Sequence, residues 1–167
     1  MSLSADDEYV EFVSSRLPRL HQTAYLLCGD RHRAEDIVQA TALNLYLKWS
    51  RARAADNIDG YVHRMLVREF LGQRRLGWAR VLLTDRMPER PAPPSDDVEN
   101  RDEVLAGLAQ LPAGQRAAIV LRYYSDLSVA DAATALNCSI GNVKSQTARG
   151  LTTLRRIMTQ AADRSAR

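Results

Sequence analysis

Apolar residues recur at intervals of three and four positions along most of the chain, a spacing that predicts amphipathic helices. A first helix is predicted from Asp6 to Cys28, with Pro18 expected to kink it and Gly29-Asp30 to end it. Its buried stripe is predicted to consist of Val10, Val13, Leu17, Leu20, Ala24 and Leu27.

Two more helices are predicted in the first half of the chain. One runs from about Arg33 to Ser50 and the other from about Asp59 to Arg75, with Asp56 and Asn57 as its start signal. The former is predicted to turn inward Ile37, Ala40, Leu43, Leu45 and Leu47, and outward Glu35, Asp36, Gln39 and Asn44. The latter is predicted to bury Val62, Leu66, Phe70 and Leu71, and to expose Arg64, Arg68, Arg74 and Arg75.

The segment Met87–Asn100 (MPERPAPPSDDVEN) interrupts the helical pattern. It contains four of the six prolines, several acids and few apolar residues. Because proline removes a backbone donor and favours extended backbone, a flexible linker is predicted here. The predicted fold is therefore all-α, with two small helical domains, 1–86 and 101–167, joined by a Pro-rich acidic linker, 87–100.

The second domain is predicted to end in a helix-turn-helix. Pro112 suits a first helical position, and Ser128 is a natural N-cap with Asp131 three residues later. Only Asn137-Cys138-Ser139 joins the last two helices, so they must cross steeply. The predicted helices are about Arg101–Ala109, Pro112–Tyr123, Val129–Leu136 and Ile140–Met158.

Three residues of this motif have separate structural roles. Ala133 lets the two helices approach, Asn137 tolerates the left-handed conformation, and Val143 fills the core beneath the last helix. On a helical wheel, the side of Val143 also carries Thr147, Gly150, Leu151 and Leu154, and the opposite side carries Asn142, Ser145, Gln146, Arg149 and Arg156. Short hydrogen-bonding groups followed by arginines are typical of a DNA recognition helix; a merely solvated polar face is the alternative.

Composition excludes several classes of protein. The chain has 167 residues, of which 46% are hydrophobic and 26% charged, so it is not disordered throughout. No apolar stretch approaches the roughly 18 residues of a spanning helix, and the N-terminus lacks a signal pattern, so a soluble, cytoplasmic protein is expected. Cys28 and Cys138 lie too far apart in sequence to suggest a metal motif and are expected to be buried thiols.

The net charge of +3 is small but strongly segregated. It is −3 over residues 1–43, +5 over 44–84, −4 over 85–104, 0 over 105–138 and +5 over 139–167. Nearly all of the positive charge is arginine, whose planar fork suits phosphates and base edges. Two basic blocks separated by an acidic one favour a nucleic-acid partner.

No catalytic constellation is found in the sequence. Paired carboxylates, a nucleophile elbow and a phosphate-binding glycine loop are missing, and His21, His32 and His63 lack metal-ligand spacing. We therefore expect no enzymatic activity, no cofactor and no metal. Phe70 is expected in the core, whereas Tyr61 and Trp78 suit either the core or stacking on melted bases.

Three segments resemble the sigma factors of bacterial RNA polymerase that form the extracytoplasmic-function (ECF) group. LPAGQRAAIVLRYYSDLSVADAATALNCSIGNVKSQTARGLTTLR is similar to their C-terminal promoter-binding domain. AEDIVQATALNLYLKW and GYVHRMLVREFLGQRR are similar to their N-terminal domain. The likeness covers about residues 8–158 in the right order and is greatest to short actinobacterial-type members without an appended domain.

The resemblance implies three functional surfaces. The β′ clamp coiled coil of the polymerase core would be bound by Glu35, Asp36, Gln39 and Leu43. The minus-10 element would be read and opened by the third helix and the loop near 67–70, with Tyr61, Arg64, Arg68, Arg74 and Arg75 as the contact residues. The minus-35 element would be bound by Ser139, Asn142, Lys144, Ser145, Gln146 and Arg149. Many relatives have asparagine where this chain has Arg68, near the pocket for a flipped base.

The implied function is promoter-specific transcription initiation as a polymerase subunit. The implied partners are RNA polymerase core, through its β′ clamp coiled coil and β subunit, promoter DNA and an anti-sigma factor. A stand-alone helix-turn-helix regulator is the chief alternative, but it would leave the acidic helix and the first domain without a role. A pure protein-interaction module would explain neither basic block.

Overall fold

The computed structural model describes the backbone of residues 2–84 and 99–167 and the side chains of residues 2–72 and 103–167. Within these ranges the chain is helical and contains no strand, which confirms the predicted all-α class. Contacts divide the chain into two compact units, Met1–Glu89 and Arg90–Arg167. The predicted linker lies outside the described residues except for its last two positions.

The N-terminal unit contains helices α1 (Ala5–Cys28), α2 (Arg31–Leu47), α3 (Trp49–Ala52) and α4 (Ile58–Thr84). A capping box starts α1: the Ser4 hydroxyl accepts a bond from the Asp7 amide, and the Asp7 carboxylate accepts one from the Ser4 amide. The helix continues through Pro18 and ends at Gly29, whose φ of 72° is left-handed. One residue later, the Asp30 carboxylate caps α2.

Side-chain hydrogen bonds and a salt bridge connect α1, α2 and α4 around a common core. Leu27, Ile37, Leu66 and Phe70 are at most 1% exposed, so three helices contribute to it. The Tyr9 hydroxyl donates to the Ala42 carbonyl at 2.6 Å, and the Asn44 amide donates to the Glu69 carboxylate at 2.8 Å. The Arg16 guanidinium bonds the Asp59 carboxylate at 2.6 Å. These contacts fix the exposed faces of α2 and α4 relative to each other.

Three residues predicted to face inward do not. Val10 is 58% exposed, Leu43 is 61% exposed and Leu47 is 71% exposed. Ile37 and Leu45 of α2 are buried as predicted, and the rest of its buried face is formed by Ala34, Val38 and Thr41. Thr41 can occupy this face because its hydroxyl donates to the Ile37 carbonyl at 2.7 Å. Because α2 turns this face toward the core, Leu43 and Leu47 point to solvent.

The C-terminal unit contains α5 (Glu99–Ala109), α6 (Ala113–Ile119), a π-helical turn (Val120–Tyr124), α7 (Val129–Leu136) and α8 (Ile140–Ser165). The single helix predicted from Pro112 to Tyr123 is therefore two elements, and Pro112 is the N-cap of α6 rather than its first residue. Helices α4 and α8 continue past their predicted ends. Within its predicted part, α8 packs on α5, because Leu154 and Ile157 lie against Gly107.

The helix-turn-helix has the predicted bounds for α7 and the predicted turn chemistry. Asn137 ends α7 in the left-handed conformation, with φ 54° and ψ 50°. The Cys138 amide donates to the Ala133 carbonyl at 3.0 Å, and Val143 is only 1% exposed. Gly150 lies where α8 approaches α6: a Cβ atom there would come within 2.6 Å of the Ile119 Cδ1 atom.

Candidate nucleic-acid interface

The first turns of α8 present most of the residues predicted to bind DNA on one exposed surface. Asn142, Lys144, Ser145 and Arg149 are all exposed. Ser139 is exposed as well, but its hydroxyl accepts a hydrogen bond from the backbone N–H of Asn142 at 3.0 Å, so Ser139 is the N-cap of α8. The structure thus gives Ser139 a structural role that the sequence did not indicate.

Gln146 differs from its neighbours on this surface because its side chain is half-buried. Its Cδ, Nε2 and Oε1 atoms each lie 3.8 Å from the position that a Cβ atom would occupy on Gly114. Gly114 belongs to the first turn of α6 and is 32 positions earlier in the chain. Sequence periodicity along α8 alone does not predict that Gln146 lies near Gly114.

Two arginines of the C-terminal unit bind backbone carbonyl groups of their own unit. The Arg116 guanidinium donates to the carbonyls of Leu108 and Ala109 at 2.8 and 3.2 Å, and so satisfies two carbonyl groups at the C-terminal end of α5. It also donates to the Leu111 carbonyl, in the turn after α5, at 2.9 Å. The Arg122 guanidinium donates to the Leu127 carbonyl at 2.5 Å. Sequence analysis missed both roles, because an arginine that caps a helix has the same composition signal as one that binds DNA.

The residues predicted to contact the minus-10 element lie on α4, and the structure describes three of their side chains. Arg68 is exposed, whereas Tyr61 and Arg64 are half-buried and the Arg64 Nε atom is buried without a partner in the described region. Positions 61, 64 and 68 share one side of the helix by their spacing. The side chains of Arg74, Arg75 and Trp78 lie outside the described residues. Phe70 is 1% exposed and belongs to the core, as predicted.

The exposed face of α2 combines acidic, amide and apolar groups. Glu35, Asp36 and Gln39 are exposed, and the Gln39 amide donates to the Glu35 carboxylate at 3.4 Å. One and two turns further along the same face are the outward-facing Leu43 and Leu47. An acidic and polar patch continued by exposed leucines is suited to docking against another protein.

The buried titratable groups have structural explanations. The His63 Nδ1 atom lies 2.7 Å from the Asp59 carbonyl oxygen, while its Nε2 atom is buried without a partner in the described part of the chain. Burial lowers the pKa of His63, and the nearby charge of Arg19 acts in the same direction. Burial also raises the pKa of Cys28, whose thiol donates to the Asp30 carbonyl.

Cys138 is only half-buried, so the prediction of two buried thiols was wrong for this residue. It is the second residue of the turn between α7 and α8, and a turn of three residues leaves its side chain partly open to solvent. Over residues 2–72 and 103–167, no cluster of histidine, cysteine and acidic side chains could hold a metal ion. None of the described helices is long and apolar enough to span a membrane.

Comparison with protein families gives two matches in the order of the two units. The family described as Sigma-70 region 2 matches residues 12–80, and the family described as Sigma-70, region 4 matches residues 101–154. The RNA polymerase sigma-E factor of Streptomyces coelicolor is 30% identical over 154 residues, which cover 89% of this chain and 84% of that protein. The ECF RNA polymerase sigma factor SigM of Mycobacterium tuberculosis is 30% identical over 142 residues, which cover 84% of this chain and 71% of that protein.

A solved structure also matches along most of both chains. It is the sigma factor RpoE of Bartonella quintana in complex with the anti-sigma factor NepR. The TM-score is 0.79 at 26% identity, and the match covers 91% of this chain and 97% of that one.

Proposed function

The chain belongs to the sigma-70 family as a sigma factor of the ECF group, and we propose that it binds RNA polymerase core and directs it to promoters through the three surfaces described above. The observation that carries this proposal is the presence of both sigma regions, in order, in one chain. A stand-alone helix-turn-helix regulator would need only the second of them.

The exposed face of α2 is the proposed contact with the β′ clamp coiled coil. Glu35, Asp36, Gln39 and Leu43 are all exposed on it, so none is committed to the core of the N-terminal unit. The carboxylates suit basic groups on a partner helix, and the exposed Leu43 supplies apolar area. The β subunit is the proposed second contact of the polymerase core.

Promoter reading is assigned to α4 and α8. Tyr61, Arg64 and Arg68 of α4, with Arg74 and Arg75, are the proposed contacts with the minus-10 element. On α8, Asn142, Ser145 and Gln146 are near the end of the helix that enters the major groove, where amides and hydroxyls read base edges. Lys144 and Arg149 are proposed to bind phosphates, and Ser139 to hold the start of α8.

The remaining assignments follow from this role. The protein supplies promoter recognition while the core supplies the chemistry, so we propose that it is not itself an enzyme and that it acts in the cytoplasm, where the polymerase acts. Because a relative was solved with an anti-sigma factor, an anti-sigma factor is a further proposed partner.

A run-off transcription assay with purified polymerase core tests this function. Templates from the genome that encodes the chain are transcribed with core alone, with core plus this protein, and with core plus the Asp36→Arg variant. Initiation that requires the protein and is weakened in the variant is expected. If the protein binds promoter DNA but never changes initiation by core, the stand-alone regulator is the better account.

A further inference from the structure

We propose that Arg156 is a second phosphate-binding residue of α8, which extends the DNA contact of this helix about two turns beyond Arg149. Its ligand is the sugar-phosphate backbone of promoter DNA at the edge of the minus-35 site. This inference rests on the proposed function of α8. It adds a residue that follows the stretch matched by Sigma-70, region 4, which ends at residue 154.

Arg156 projects from the same side of α8 as two residues assigned to DNA. Asn142, Arg149 and Arg156 follow one another at intervals of seven residues. Seven residues are nearly two full helical turns, so each side chain in this line is rotated from the previous one by only about 20°. All three side chains are exposed. The line therefore runs along one open side of the helix, from the base-reading end to Arg156.

The other side of α8 is packed within the C-terminal unit. Val143 and Gly150 each follow a member of the exposed line by one residue, and both are buried. Further along, α8 packs on α5, where Leu154 and Ile157 lie against Gly107. These apolar contacts hold the helix on both sides of residue 156, so the direction of the Arg156 side chain is set by the fold.

The charges along α8 leave the two arginines available for phosphate. Residues 139–167 contain six basic residues and one acid, Asp163. Among the residues that the structure describes, no carboxylate pairs with Arg149 or Arg156. Asp163 is the next position of the same line, about 10 Å beyond Arg156, and is exposed. The positive part of the line thus ends at Arg156, and its guanidinium is suited to bind phosphate.

The length of the line identifies the phosphate backbone, and not a base, as the ligand. Arg156 is fourteen residues after Asn142, which corresponds to about 21 Å along the helix axis. The major groove of B-DNA is only about 12 Å wide. When the Asn142 end of α8 reads base edges in the groove, Arg156 lies past those edges, where phosphates are the available groups. Its contact is therefore independent of the base sequence.

Arg155 provides a matched control for this contact. It is exposed and carries the same charge, but it is six residues after Arg149 and so projects about 120° away from it. Holoenzymes are reconstituted from polymerase core and the Arg156→Ala, Arg156→Lys, Arg155→Ala or Arg149→Ala variant. Their affinities for promoter duplexes are measured between about 50 and 200 mM salt, on minus-35 sequences with single substitutions. Thermal unfolding checks the stability of each variant.

Arg156→Ala is expected to reduce the slope of log affinity against log salt by about 0.9, the value for one phosphate. Over this fourfold range of salt, the wild type should therefore lose about three- to fourfold more affinity than Arg156→Ala. Arg156→Lys retains the charge and should keep the wild-type slope, as should Arg155→Ala. The reduction should be the same for every minus-35 sequence, because a phosphate contact does not read bases.

Three results would overturn the second contact. The first is an equal reduction of the slope in Arg155→Ala and Arg156→Ala, which would reflect net charge alone. The second is a changed base preference in Arg156→Ala. The third is a wild-type slope in Arg156→Ala together with a reduced slope in Arg149→Ala, which leaves the sigma function intact. Initiation that is independent of the protein contradicts the proposed function instead.

Discussion

Replacing Ser139 by alanine removes the N-cap of α8 and distinguishes a capping role from a DNA contact. In the structure the Ser139 hydroxyl accepts a hydrogen bond from the backbone N–H of Asn142 at 3.0 Å. The backbone of Ser139 is extended, with φ −75° and ψ 157°. Loss of a serine N-cap to alanine costs about 1 kcal/mol, within a range of roughly 0.5–2. For a domain of this size, about 1 kcal/mol lowers the Tm by roughly 4–8 °C.

Two control variants make the result specific. Ser139→Asp retains a side-chain acceptor and adds a negative charge at the positive end of the helix dipole, so the Tm of the C-terminal unit is expected to be unchanged or higher. Ser145→Ala removes an exposed hydroxyl of the same helix and is expected to change stability by less than about 0.5 kcal/mol. Thermal unfolding followed by circular dichroism measures all three variants.

DNA binding by the same variants completes the test. Ser139→Ala is expected to weaken binding to all minus-35 sequences by similar factors, because a frayed helix start affects every contact. Ser139→Asp is expected to bind DNA more weakly despite its stability, because the added charge faces phosphates. A wild-type Tm for Ser139→Ala, combined with a changed base preference, would refute the capping role and make Ser139 a base reader.

Three further results are expected. Asp36→Arg should weaken core binding in a pull-down without lowering the Tm, whereas Asp163→Arg, the same change at an exposed position of the other unit, should leave core binding intact; equal retention by both variants would remove α2 from the interface. Arg149→Ala should lower affinity for all promoters and reduce the slope of log affinity against log salt by about one, and an unchanged slope would argue against a phosphate contact. Burial lowers the pKa of His63 below its ordinary 6.5, so near this pH the unfolded chain binds more protons at His63 than the folded chain does. The contribution of His63 to the free energy of unfolding should therefore be largest above pH 6.5 and decrease as the pH drops below it. Urea unfolding at about pH 7.5 and 5.5 measures this. The free energy of unfolding should decrease more between the two pH values for the wild type than for His63→Gln, and an equal decrease would contradict the prediction.

The helix-turn-helix was predictable from local sequence because its determinants are local. The bounds of α7, the left-handed Asn137 and the buried Val143 all follow from residue type and spacing over fifteen positions. The exposed positions Asn142, Lys144, Ser145 and Arg149 follow from the same helical wheel. The all-α class was equally accessible, since the apolar spacing is helical on both sides of the proline-rich segment.

The orientation of α2 was not predictable in the same way. Apolar residue type indicated that Leu43 and Leu47 face inward, yet the core takes Thr41 and leaves both leucines in solvent. The choice depends on which face meets α1 and α4, and that is a tertiary property. The wrong prediction for Leu43 and Leu47 matters for function. Exposed leucines beside Asp36 make this face more suited to a protein partner than an acidic patch alone would be.

The sequence also did not predict which residues of distant segments lie close together. Nothing in the local pattern places Gln146 near Gly114, or the Arg116 guanidinium at the end of α5. The π-helical turn after Ile119 lacks a composition signal as well, and it divides what the periodicity predicts as one helix. The proposed linker and the arginines at 74 and 75 remain sequence predictions.

The central claim is that one chain both binds polymerase core and selects the promoter. Polymerase core with this protein is incubated with a library of promoter fragments in which the minus-35 and minus-10 regions are randomised, and the transcripts are sequenced. Transcripts should require the protein and be enriched for two sequence blocks at a fixed spacing, and the minus-35 block alone should change with Gln146→Ala. Transcripts that do not depend on the protein, or a single enriched block unaffected by changes in α8, would contradict the account.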